Sequence, residues 1–105
     1  MESTVRLGSG QFSYEVASNW EKLPPGYSWT DAAAVAVDSR DRVYVFNRGD
    51  HPMIVFDSDG SFITAWDSDV LIPENAHGIY IDAQDDIYLT EWLGHCVYKF
   101  NRQGE

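Results

Sequence analysis

Short apolar runs, separated by clusters of Asp, Asn, Gly and Pro, follow one another along most of the chain. Runs of this length between turn-forming residues are typical of β-strands, because a helix needs a longer periodic segment. The pattern predicts strands at 35–37, 42–46, 53–56, 62–66, 79–81, 87–90 and 97–100. The predicted fold class is therefore all-β.

The chain also contains an internal repeat. Residues 35–60 align without a gap on residues 79–104, so that each position has its counterpart 44 residues further along. The identical pairs are Asp38 and Asp82, Asp41 and Asp85, Tyr44 and Tyr88, His51 and His95, Phe56 and Phe100, and Gly60 and Gly104. A four-stranded unit that recurs every 40–45 residues or so is typical of a β-propeller blade.

This repeat predicts four segments. Residues 1–9 form an N-terminal extension, residues 10–16 an outer strand, residues 17–66 a first blade, and residues 67–105 a second blade that lacks its outer strand. The stretch "GQFSYEV" at 10–16 is similar to "GSFITAW" at 60–66, the fourth strand of the first blade. We therefore expect residues 10–16 to complete a neighbouring blade.

Two blades cannot close a propeller, which needs about 4–8 of them. One interpretation is that three copies join head to tail by strand exchange and form a homotrimeric, six-bladed ring, because heterologous contacts form rings when the rotation closes. The other is that the chain is a non-catalytic half-propeller fragment, natural, excised or engineered, whose role is assembly or protein binding. The sequence leaves both open.

Composition narrows the possible partners. The chain carries 17 acidic and 7 basic residues, a net charge of −10, which disfavours nucleic acid because phosphate binding depends on Lys and Arg. No apolar run is long enough to predict a membrane helix, and the first ten residues lack the apolar core of a signal peptide. The compartment is left undetermined.

Two short motifs are more specific than the repeat itself. The stretch "FNRGDH" at 46–51 and the "HGI" at 77–79 resemble the NHL-repeat propellers, and most closely the peptidyl-α-hydroxyglycine α-amidating lyases and their bacterial relatives. The resemblance extends from about Gly10 to Gly104. It implies a six-bladed propeller that cleaves a peptidyl-α-hydroxyglycine to a peptide amide and glyoxylate. It also implies a channel zinc held by three histidines from alternate blades.

The resemblance assigns roles to particular residues. His77 falls on a zinc histidine, and Arg48 on an arginine that holds the carboxylate of a small or peptide ligand. Val35 and Ile79 fall on positions whose backbone carbonyls reach a channel calcium. Trp92 stands at the repeat position of Arg48 and is expected to line the channel.

The chain also departs from the family pattern. It has no later blades to supply two further zinc histidines and the catalytic tyrosine, and Gly78 follows His77 where a carboxylate would be needed for calcium. A trimer would place three copies of His77 around one axis and rebuild a three-histidine zinc site with an open fourth position. We therefore expect a self-assembled, zinc-binding propeller with little or no lyase turnover, which leaves the enzyme question open.

Overall fold

The computed structural model describes residues 4–67 and 70–105. Within them lie nine strands and one 3-10 turn, Pro73–Asn75. The strands are β1 Arg6–Ser9, β2 Phe12–Glu15, β3 Ala32–Val37, β4 Val43–Asn47, β5 Met53–Phe56, β6 Phe62–Trp66, β7 Ala76–Ile81, β8 Ile87–Glu91 and β9 Cys96–Phe100. In this part of the chain, no helix has the length and apolarity that a membrane crossing requires.

The strands form three antiparallel sheets, which confirms the all-β prediction. They are the hairpin β1–β2, the first large sheet β3–β4–β5–β6 and the second large sheet β7–β8–β9. The inner strands β3 and β7 each begin three residues earlier than the apolar pattern predicts. Both extensions pass through a register shift, between Ala32 and Ala34 and between Ala76 and Gly78, at equivalent positions of the repeat.

The N-terminal region differs most from the sequence-based expectation. Strand β1 lies inside the segment predicted to be an extension, of which residues 1–3 are outside the described residues. β1 pairs with β2 from Arg6 opposite Glu15 to Ser9 opposite Phe12. Both strands of this hairpin are exposed along their whole length. A strand thus lies within the segment 10–16, but it pairs with β1, and its role in completing a neighbouring blade stays a prediction.

The main core lies between the two large sheets. Alternate residues of the first sheet point toward the second, because side chains in a strand alternate between faces. The first sheet contributes Tyr44, Phe46, Met53, Val55 and Trp66, and the second contributes Ala76, Ile87, Leu89 and Phe100. All nine are buried. The two sheets therefore pack face to face, as neighbouring propeller blades do.

A second core covers the opposite face of the first sheet. Val45, Ile54 and Phe56 are buried there beneath the loop that precedes β3. Trp20 in that loop lies with its ring centroid 5.7 Å from that of Phe56, and Trp66 lies 5.3 Å from Phe100 in the same way. Each tryptophan covers the glycine of a turn, Gly60 or Gly104, where a Cβ atom would collide with the indole or with the tryptophan backbone. Trp20 thus occupies on the first sheet the place that Trp66 occupies on the second.

Four turns share one five-residue design, and three of them join strands of a large sheet while the fourth follows β9. In each, an acidic or amide side chain accepts hydrogen bonds from the backbone N–H groups two and four residues later, as an Asx turn does. These side chains belong to Asp38, Asp57, Asp82 and Asn101. The fourth residue takes a positive φ, which glycine adopts without steric cost. That position holds Asp41 (φ 61°), Gly60 (89°), Asp85 (63°) and Gly104 (83°).

Asp38 is the most deeply buried of the turn carboxylates. Besides the two backbone N–H groups it accepts hydrogen bonds from Arg42 Nε at 2.8 Å and from the Tyr44 hydroxyl at 3.1 Å. Burial alone would raise the pKa of Asp38, but the hydrogen bonds from Arg42 and Arg40 outweigh it and lower that pKa. Burial and the Asp38 charge together raise the pKa of Tyr44 to about 12.

A polar contact joins the two large sheets at the turn end. The backbone N–H of Ser39 donates to Asp85 Oδ1 at 2.8 Å, and the Ser39 hydroxyl donates to Asp85 Oδ2 at 2.6 Å. The hydroxyl and the backbone N–H of Ser39 lower the pKa of Asp85. The β3–β4 turn of one sheet is thereby held on the β7–β8 turn of the next.

We predict that Asp38→Ala lowers the free energy of unfolding by about 2–3 kcal/mol, because it leaves buried donors of Arg42 and Tyr44 without an acceptor. Asp82→Ala is the matched control, since Asp82 holds the equivalent turn in a more open setting, and its effect should be smaller. Urea denaturation followed by tryptophan fluorescence measures both. Equal losses for the two variants would contradict this account of the turn.

A second prediction concerns acid. The pKa values of Asp38, Asp82 and Asp85 are lowered in the folded state, so the stability they contribute is present above the unfolded-state pKa of about 4. It is lost as the pH falls through their lower folded values. The free energy of unfolding should therefore drop between pH 5 and pH 3, and less steeply in Asp85→Asn. A free energy of unfolding that does not change over this range would refute the prediction.

Candidate functional site

Arg48 lies at the junction of the two large sheets, directly after β4. Its backbone N–H donates to the carbonyl of Asp31 at 2.8 Å, which fixes the chain as it leaves the strand. Its side-chain Nε donates to the carbonyl of Ala76, also at 2.8 Å. Ala76 begins β7 and is followed by His77. The structure therefore brings Arg48 to the strand that carries His77, the two residues for which the sequence predicted a shared site.

A cleft of about 240 Å³ opens beside this contact. It is lined by Thr30, Arg48, Gly49, Asp50, Pro73 and Glu74. The lining combines one guanidinium with two carboxylates, so it offers partners to a ligand that carries both charges. Residues 48–50, the sequence Arg-Gly-Asp, form one wall of this cleft, and the Arg48 side chain is held there by the Ala76 carbonyl.

His77 is exposed on β7, and its imidazole makes no hydrogen bond or ion pair with the described residues. Its imidazole is therefore not committed to a structural contact. Across residues 4–67 and 70–105, no three His, Cys, Asp or Glu side chains stand close enough together to hold a metal ion. A zinc site that includes His77 would therefore need histidines from elsewhere, and the zinc role of His77 stays a prediction.

The other predicted site residues lie apart from the Arg48 contact. The side chain of Trp92 is 51% exposed, and its backbone N–H donates to the carbonyl of Asn75 at 3.1 Å, which repeats the contact of Arg48 with Asp31. Val35 and Ile79 occupy equivalent positions on β3 and β7. Val35 is exposed, whereas Ile79 packs against the main core. The calcium role of their carbonyls stays a prediction.

Asn47 and Glu91 hold the loops that lead into the two large sheets, a role that the sequence analysis missed. Asn47 Oδ1 accepts from the backbone N–H of Thr30 at 3.2 Å, and Glu91 Oε1 accepts from that of Ile72 at 2.7 Å. Both residues end the second strand of their sheet and are buried. The signal was present in the repeat, since a polar residue ends the second strand of the sheet in both units.

Comparison with known proteins gives the following likenesses. No protein-family profile matches the chain. NHL repeat-containing protein 3 of Homo sapiens is 32% identical to it over 102 residues, which is 88% of this chain and 28% of that protein. NHL repeat-containing protein 3 of Mus musculus is 36% identical over 81 residues, 68% of this chain and 22% of that protein.

The chain therefore spans less than a third of the length of the curated relatives it matches. Neither likeness bears on the closer resemblance to the amidating lyases, which stays a prediction. The all-β fold, with its two repeated antiparallel sheets, agrees with part of an NHL propeller. Fold and likenesses together support the interpretation of this chain as a segment of NHL repeats.

Proposed function

We propose that this chain is a two-blade NHL propeller module that docks head to tail on further copies of itself and closes into a three-copy ring. One observation carries the proposal. The two outward faces of the chain are the repeat equivalents of the two faces that already pack against each other inside it. A contact that forms once within the chain can therefore form again between chains.

The first of these faces belongs to the first large sheet. Val35 and Val37 on β3 are 61% and 51% exposed. Their counterparts in the second sheet, Ile79 and Ile81, pack against the main core. The outer half of the same face is covered by Trp20 and its loop. Val35 and Val37 of the inner strand therefore remain exposed, and we call this strip the leading face.

The second face belongs to the far side of the second large sheet. Tyr80 on β7 is 64% exposed and Val97 on β9 is 68% exposed, with Tyr88 of β8 on the same face. Tyr88 and Val97 correspond to Tyr44 and Met53, which are buried in the main core. We call this side the trailing face. Thr90 and Lys99 lie on the trailing face as well, so this face is apolar only in part. Leaving its apolar side chains and the valines of the leading face in water is unfavourable at about 25 cal/mol per Å².

Strand exchange fits this arrangement. In the first sheet β6 pairs with β5, but in the described part of the chain no strand pairs with the outer edge of β9. In the proposed ring, β2 of a neighbouring copy adds to β9 and fills the position that β6 fills in the first sheet. Because β2 already pairs with β1, the hairpin would enter as a unit, with β1 outermost. In a longer NHL protein, blades of the same chain would occupy these faces.

A charge on either face should block the ring. We predict that Val35→Glu and Val97→Glu each leave the fold intact but abolish the assembly, because a buried unpaired carboxylate opposes docking. Ile63→Glu is the matched control, since Ile63 is an exposed aliphatic residue on the outer strand β6. Sedimentation velocity measures the species present.

A mixture of the two variants tests the head-to-tail arrangement. Val35→Glu keeps a sound trailing face and Val97→Glu a sound leading face, so the mixture should form a one-to-one dimer and no ring. If either variant assembles like the unmodified chain, or if the mixture closes a ring, the proposed docking faces are wrong.

We further propose that the ring binds zinc through three copies of His77. The exposed, uncommitted imidazole on β7, with Arg48 held against the neighbouring Ala76, supports this second function. A zinc ion on three histidines keeps one position for water or substrate. Arg48 would favour a ligand with a carboxylate, such as a small acid or a peptide terminus. The carbonyls of Val35 and Ile79 are the proposed calcium ligands.

The lyase reaction itself would be weak or absent in this ring. Trp92 lies at the repeat position of Arg48, so the second unit has no arginine there. No copy of the chain has a tyrosine at either of these positions. The residues that we assign bind and orient a carboxylate. We therefore propose that the ring binds a metal and a ligand, with little or no turnover of peptidyl-α-hydroxyglycine.

Zinc content tests this second function. After zinc loading and dialysis, the unmodified protein should retain about one zinc per three chains, and His77→Ala should retain none. His95→Ala is the control, because His95 is also exposed but recurs at the repeat position of His51. Atomic emission on the assembled fraction gives the ratio. Zinc retention by His77→Ala equal to that of the unmodified protein would overturn the metal assignment.

A further inference from the structure

We infer that Asp41 is the acceptor of an interchain hydrogen bond, and that its donor is the β7–β8 turn of the neighbouring copy at Ala83. This inference rests on the proposed ring and names the polar contact that would align its copies. The inference is based on the fourth residue of the repeated five-residue turns.

The first observation is the residue type. The fourth position of each five-residue turn has a positive φ, and two of the four turns place glycine there, Gly60 and Gly104. Glycine adopts this conformation without the steric cost that a Cβ atom brings. Aspartate enters this conformation more readily than most residues but less easily than glycine, so a contact of its side chain would give a reason for its presence here.

Asp85 shows what that contact is. Its carboxylate accepts both the backbone N–H and the hydroxyl of Ser39, which lies in the turn of the preceding sheet. The aspartate therefore ties its own sheet to the sheet before it. Within the described part of the chain, the two large sheets form the only pair of this kind. We use the contact between them as the model for the contact between copies.

Asp41 is the repeat counterpart of Asp85, and its carboxylate is free. It is exposed at φ 61°, and no described residue donates a hydrogen bond to its side chain. The sheet that would precede it belongs to the neighbouring copy in the proposed ring. The residue there that corresponds to Ser39 is Ala83, which is exposed in the β7–β8 turn.

The contact between copies would be weaker than the one within the chain. Ala83 has a backbone N–H but no hydroxyl, so it can make one of the two hydrogen bonds that Ser39 makes. The Arg48 bond to the Ala76 carbonyl has no counterpart either, because Trp92 replaces the arginine and Ala32 lies at the position of Ala76. The contact between copies would therefore have one of these hydrogen bonds, whereas the contact between the two large sheets within the chain has three.

A double-mutant cycle tests the inference. Asp41→Gly removes the carboxylate and installs the residue that the other turns use, so the fold of the single chain should be unchanged. We expect it to weaken each interface by roughly tenfold, the effect of losing one charged hydrogen bond. Ala83→Ser should strengthen assembly by adding the missing hydroxyl, and this gain should vanish in the Asp41→Gly background.

Sedimentation equilibrium of the four proteins gives the assembly constants, with thermal unfolding of each as a check on the fold. Asp85→Gly is the contrasting variant, because it should destabilise the single chain itself. If the unmodified protein assembles and Asp41→Gly assembles equally well, the Asp41 contact is wrong while the ring stands. If the unmodified protein stays monomeric at all concentrations, both the ring and the contact are refuted.

Discussion

The structure depends on one constraint, which is that each large sheet carries apolar side chains on both faces. An antiparallel sheet with one polar face can leave that face in water, but the first sheet is apolar on both sides and the second exposes Tyr80 and Val97 on its far side. Each face therefore needs a cover. The main core covers one face of each sheet, and the Trp20 loop covers half of the opposite face of the first sheet. The remaining apolar strips are the reason that we regard this chain as one part of a larger ring.

The polar contacts determine how the sheets are aligned rather than whether they associate. Burial of the core supplies a non-directional attraction. Asp85 and Arg48 supply direction, because their hydrogen bonds to Ser39 and to the Ala76 carbonyl span 2.6–2.8 Å across the junction. Asp85 and Ser39 fix one end of the sheet pair, and Arg48 with the Ala76 carbonyl fixes the other. This division of roles allows the same apolar contact to recur with different polar residues.

Much of the fold could be predicted because the repeat constrains it twice over. The bounds of β5 and β6 follow from the apolar runs, and the Asp-rich turns follow from residues that favour turns. Strand β1 was missed because its Gly-Ser ending carries little strand propensity, and it forms by pairing with β2. The contact of Ser39 with Asp85 joins residues 46 positions apart, so no local pattern encodes it. The aspartate at a position where glycine is easier was the available signal.

The most direct test of the central claim is native mass spectrometry of the unmodified protein, purified without chelator. We expect an assembly of three times 11.9 kDa, with the mass of one zinc ion added. A trimer without zinc would support the docking faces and contradict the proposed metal site. A monomer at all concentrations would contradict the claim that the two outward faces recognise each other.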